Sequence, residues 1–141
     1  MEKRIVKEIE KAFIDTSAFY ALMDRSDMHH EKARHLWICL LNEESHLQTT
    51  NYIIIETLAL LQSRLGFEGA HICSSDILGL LDILWVNEPM HKLAFELWLS
   101  LGRKKLSHVD CVSFITMRHY ELENVFGFDR HFEEQGFKIL D

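Results

Sequence analysis

Apolar runs of three to five residues alternate along this chain with longer stretches of helical periodicity, and that alternation leaves few folds open. Residues 12–14, 83–86, 124–128 and 137–140 read as strands, with 46–49 as a weaker one. Between them lie helices, the first opening at Thr16-Ser17 directly after Asp15. A second opens at a Ser26-Asp27 cap and carries His30, Ala33, Leu36, Trp37 and Leu40 on one face. A strongly apolar helix spans 51–65 and stops at Gly66, and another covers 68–81. Pro89 fits the first turn of a helix bearing Leu93, Leu97 and Leu101 and ending near Gly102. Ser107 opens a helix over 110–120, and a short one occupies 131–135. Strands separated by helices build a parallel sheet covered on both faces, so the expected fold class is α/β, a three-layer α/β/α arrangement.

The chain has 141 residues, 48% of them hydrophobic, with one proline and six glycines, which suits a single compact domain over 1–141. Its charged lead, residues 1–11, reads as helical. A net charge of -7 excludes a broadly basic nucleic-acid-binding surface but leaves room for a local basic groove. Cys39, Cys73 and Cys111 are an odd number at wide spacing, which fits neither a disulfide framework nor a zinc knuckle and suits a reducing cytoplasm. The mixed charges of MEKRIVKEIEKAF are unlike a secretion signal, and the apolar run ILGLLDILWV, broken by Asp82, is too short to span a membrane.

Four acids then stand out. Asp15 and Asp129 fall at the carboxyl ends of expected strands, where sites form in open parallel sheets. Asp110 sits in the first turn of its helix. For each aspartate taken alone, helix capping is the stronger reading, and Ser107-His108-Val109-Asp110 has the form of a capping box. Glu56 differs, because it interrupts the apolar stretch NYIIIETLALLQ and no lysine or arginine lies between Arg34 and Arg64 to pair with it. Its partner must be distant in sequence. Clustered carboxylates raise one another's pKa unless a divalent cation neutralises them, and hard Mg2+ or Mn2+ suits all-oxygen ligands. Such a centre favours attack of water on a phosphodiester.

The segments FIDTSAFYAL, TTNYIIIETLALL, LSHVDCVSFITMRHY and FGFDRHFEEQGFKIL resemble, in order and spacing, the signature segments of PIN-domain ribonucleases, and most nearly those of the VapC-like toxin branch. The resemblance covers nearly the whole chain from Ala12. It implies a parallel sheet with the first strand at its centre and a Mg2+- or Mn2+-dependent endoribonuclease whose catalytic and metal-binding acids are Asp15, Glu56, Asp110 and Asp129. It also implies a hydroxyl at Thr16 or Ser17 that helps hold water or metal, beside the plainer reading of an N-cap. Position 130 is Arg, so a second acid beside Asp129 is missing. His30 is expected to order the loop after the first helix. The partners implied are an RNA substrate, an antitoxin protein and a second copy of the chain. The alternative is a catalytically silent PIN-like module that binds RNA or serves as a scaffold.

Arg103, Lys104, Lys105, Arg118 and Arg130 lie near the expected acidic edge and could supply the local positive groove, although surface basic residues commonly serve only solubility. An aspartyl-phosphate enzyme of the haloacid-dehalogenase type also starts with an aspartate after its first strand. It needs a second aspartate two positions on, where this chain has Ser17.

Overall fold

The computed structural model describes residues 9–141. Its elements run β1 (Lys11–Ile14), α1 (Thr16–Met23), α2 (His30–Asn42), β2 (His46–Thr50), α3 (Asn51–Asp76), β3 (Asp82–Leu84), α4 (Glu88–Leu101), α5 (His108–His119), β4 (Asn124–Phe126), α6 (His131–Glu134) and β5 (Lys138–Ile139). The five strands are all parallel, in the order β3-β2-β1-β4-β5. Ala12, Phe13 and Ile14 are each 0% exposed although successive strand residues point to opposite faces. Both faces of the sheet are therefore covered. The β1–β2 and β2–β3 connections carry α1 to α3 and the β3–β4 and β4–β5 connections carry α4 to α6, with α1 packed on α3 and α4 on α5. The right-handed rule for such crossovers puts the two sets on opposite faces.

Local chemistry explains most boundaries. The Thr50 side chain accepts from Ile53 N at the start of α3, and Asn87 does the same for Met90 N at the start of α4. Ile53, Thr57 and Leu61, four residues apart, form the buried stripe of α3. Gly66, at φ 84° and ψ 172°, breaks α3 where the sequence places a stop, and Gly102 closes α4 in the left-handed region.

Several boundaries differ from expectation. The Ser26-Asp27 pair does not cap α2, which begins at His30 without a side-chain cap. Asp24 Oδ1 instead accepts from Ser26 N, and Asp27 Oδ1 from His29 N, so these side chains close two successive turns. His30 Nδ1 lies 2.7 Å from Ala21 O and fastens that loop to α1 as anticipated. The helix expected over 68–81 ends at Asp76 and gives way to a 3-10 turn at Leu78–Leu80. The strands β3, β4 and β5 are shorter than the apolar runs that contain them. Of the charged lead, residues 1–8 lie outside the described residues, and Lys11 is already strand. The stretch 51–62 is less buried than its composition suggests, since Ile55 is 68% exposed.

Candidate active site

After β1 the chain turns toward β2, and after β4 it turns toward β5, so the crevice between the carboxyl ends of β1 and β4 is the topological switch point of the sheet. Asp15 stands there. Its backbone N–H donates to Phe126 O at 3.0 Å, and its side chain caps α1, with Oδ2 accepting from Ser17 N at 3.2 Å and Ser17 Oγ at 2.7 Å. Ser17 Oγ in turn accepts from Phe128 N at 2.9 Å. Gly127 makes this approach feasible, because a Cβ there would lie 2.9 Å from Asp15 Cβ and 3.2 Å from Ser17 Oγ.

Asp15 is 6% exposed, and its carboxyl is pushed up to about 7. Burial is the main cause; the hydrogen bonds from Ser17 oppose it, and the charges of Asp110 and Glu56 add to it. Glu56 comes to this neighbourhood through the hydroxyl of Thr16, which donates to Oε1 at 2.6 Å and accepts from Thr57 Oγ1 at 3.2 Å. The distant partner of the helical glutamate is thus, in the first instance, a threonine on α1. Thr16 and Ser17 divide the work: one holds Glu56, the other holds Asp15.

Asp110 completes the capping box, its Oδ2 accepting from Ser107 N at 2.9 Å while Ser107 Oγ accepts from Asp110 N at 3.1 Å. Burial raises its carboxyl above the usual range; the backbone bond from Ser107 counters this, and Asp129 raises it further. Capping and proximity to other acids therefore coexist in one residue. Asp129 does not sit at the end of its strand, because β4 stops at Phe126 and Gly127 and Phe128 bend the chain first. Its Oδ1 accepts from His131 N at 3.0 Å.

His131 was not foreseen from the sequence. Its Nδ1 lies 3.1 Å from Asp129 Oδ1 and 4.0 Å from Asp110 Oδ2, with the side chain 16% exposed. That nitrogen is buried and, despite the short distance, is not aligned for a hydrogen bond. Donor atoms of Asp110, Asp129 and His131 all lie within 4.8 Å of one another. A histidine two positions after the last acid was the available signal.

The basic residues divide into two kinds. Arg103 pairs with Glu134 at 2.9 Å, and Arg118 donates to Gln135 O and Oε1 while lying over the Phe137 ring. Among the described residues Arg130 reaches only Glu133, at 3.6 Å, with its side chain 84% exposed. Lys104 and Lys105 occupy the exposed turn between α4 and α5.

A carboxyl raised chiefly by burial at Asp15, and the clustered Asp110, Asp129 and His131 donors, are groups that fit a divalent cation. Fold and site together define a three-layer α/β protein with an acidic, cation-ready centre at its switch point. The chain belongs to the PIN domain family, whose pattern it matches over residues 12–138. It is 29% identical over 126 residues to the 23S rRNA-specific endonuclease VapC20 of Mycobacterium tuberculosis, covering 89% of this chain and 94% of that protein. The crystal structure of that VapC20, described as a Sarcin-Ricin loop cleaving toxin, superposes with a TM-score of 0.80 at 28% identity, over 89% of this chain and 95% of the other. The fold is shared with FitAcB from Neisseria gonorrhoeae (TM-score 0.67, 16% identity, 92% and 96% covered). It is also shared with DNA-bound VapBC from Salmonella typhimurium (TM-score 0.63, 12% identity, 94% and 98% covered).

Proposed function

We propose that this protein is a metal-dependent endoribonuclease and the toxin of a toxin–antitoxin pair, with Asp15, Glu56, Asp110 and Asp129 as its catalytic and metal-binding residues. The observation that carries the reading is Asp15, a buried acid at the switch point whose proton affinity is raised by burial and by neighbouring acids. A group so placed gains most from a bound cation. The similarity to an rRNA-specific endonuclease over most of the chain points to RNA as the substrate, and structured rRNA is the first to try.

A Mg2+ or Mn2+ ion supplies Lewis acidity and lowers the pKa of water, the usual contribution of such ions to phosphodiester hydrolysis. The residues of this chain do the positioning. Ser17 fixes Asp15, the Thr16 hydroxyl fixes Glu56, and the capping box holds Asp110 at the start of α5. Lys104, Lys105 and Arg130 are the side chains best placed to meet phosphates, with Arg103 and Arg118 engaged in contacts within the protein. A cytoplasmic location, an antitoxin partner and a homodimer belong to the same proposal. Exposed Ile55, Phe67, Trp85, Leu93 and Leu99 offer apolar surface for such partners. Among the described residues no helix is long and apolar enough to cross a membrane.

The test is cleavage of rRNA by purified protein with Mn2+ or Mg2+ added, and its loss in Asp15→Asn and in Asp110→Asn. Cleavage that survives both changes would remove the site assignment, and binding without cleavage in the unaltered protein would favour the silent RNA-binding module.

A further inference from the structure

We infer that His131 is itself a metal ligand, so that the centre holds its ion through nitrogen as well as oxygen and prefers Mn2+ to Mg2+. The inference rests on the cation-binding reading above and concerns a residue outside the acidic quartet. Three observations support it. Nδ1 faces two carboxylates from different elements, Asp129 in the loop after β4 and Asp110 in the first turn of α5. It is buried and lacks an aligned hydrogen bond, an arrangement that leaves a polar atom costly unless something else satisfies it. Its spacings are those of a coordination shell, since bonds of about 2.1 Å put adjacent ligand atoms roughly 3 Å apart and opposed ones roughly 4 Å.

The carboxylates are already oriented for this. One oxygen of Asp110 is held by Ser107 N, and one oxygen of Asp129 by His131 N. The backbone bond from His131 to Asp129 also sets where the imidazole stands relative to that carboxylate. With Nδ1 directed at the acids, the ring presents a lone pair when its proton resides on Nε2. An imidazole donor disfavours Mg2+, which takes oxygen ligands, and favours divalent transition metals.

The experiment is pulsed electron paramagnetic resonance on the full-length protein loaded with Mn2+ alone, reading echo-envelope modulation from directly bound 14N. Unaltered protein is expected to show imidazole modulation. His131→Ala and the closer-sized His131→Asn should both bind Mn2+ without it, and their Mn2+ over Mg2+ preference should fall about 10-fold. Circular dichroism shows whether each variant is folded; uniform 15N-histidine labelling of the unaltered chain shows without a substitution that the bound nitrogen is a histidine's, because the modulation pattern must change, and the variants assign it to His131. Mn2+ bound with oxygen-only spectra overturns the role of His131 and leaves the acidic centre standing. Modulation that persists in both variants assigns the nitrogen to another histidine and also overturns it. Failure of the unaltered protein to bind Mn2+ overturns the inference together with the cation reading.

Discussion

The candidate site has two halves built on different physics. On the β1 side, Asp15 is 6% exposed with its Oδ2 held by Ser17 against Gly127, and Thr16, backed by Thr57, holds Glu56. On the α5 and α6 side, the Asp110, Asp129 and His131 side chains are 18%, 34% and 16% exposed, and among the described residues the histidine Nδ1 has no aligned partner. The first half is tightly bonded and bears an electrostatic cost; the second is more open and has donor capacity in reserve. The contrast indicates a division between a residue that needs positive charge and residues that can adjust to supply a coordination shell.

Asp15→Asn removes the costly charge and is the sharpest way to break the comparison. RNA cleavage should become undetectable in a gel assay. Without added metal, stability should move the other way. The folded state holds its Asp15 proton up to about 7 while the unfolded chain releases it near 3.8, so the folded state binds more protons between those values. Stability of the unaltered protein therefore falls as pH rises across that window, and the asparagine variant should be spared that loss. The difference, at most about 4 kcal/mol above pH 7 and near zero at pH 4, is measurable by urea unfolding at several pH values. Mn2+ should restore stability to the unaltered protein and not to the variant.

Gly127→Ala tests the tightness of the first half. The new methyl meets Asp15 Cβ at 2.9 Å, so α1 and the β4 exit must part. Cleavage should fall roughly 100-fold through misplacement, with a stability loss of about 1–3 kcal/mol in thermal melts. Thr16→Val removes the hydroxyl that holds Glu56. A cost of about 1.5–3 kcal/mol in stability and a drop in kcat larger than any rise in KM are expected. The smallest effect belongs to the rim: Lys104→Ala with Lys105→Ala should weaken RNA binding at low salt and shallow its salt dependence by a slope of about 1–2, leaving Tm unchanged. Arg118→Ala should do the reverse, lowering Tm through its lost Gln135 bonds with little change in that slope.

Much of this was legible in the sequence because local rules and tertiary structure agree. The alternation of apolar runs and helical stretches gave the parallel sheet, and strand-ending Asp15 and the capping box at Asp110 lie where those rules place them. The misreadings occur where one residue type serves two purposes. Ser26-Asp27 has a cap's composition but sits in a turn, where Ser26 N donates to Asp24 and the Asp27 side chain accepts from His29 N. The apolar excess of 51–62 looked like core, yet Ile55 faces solvent. His131 escaped notice because its relation to Asp110 links two elements across the fold, and sequence spacing carries no record of that contact.

Ser17 joins the first quarter of the chain to the last: its hydroxyl bonds both Asp15 and the backbone of Phe128, and β1 pairs directly with β4. A ribosome makes those partners far apart in time. The crevice therefore cannot close around Asp15 until the chain as far as Phe128 has emerged, and a nascent or prematurely terminated chain that stops short of Phe128 carries the first acids without the scaffold that aligns them. For a protein proposed to cut RNA, the order of synthesis itself postpones activity until the Phe128 segment is made.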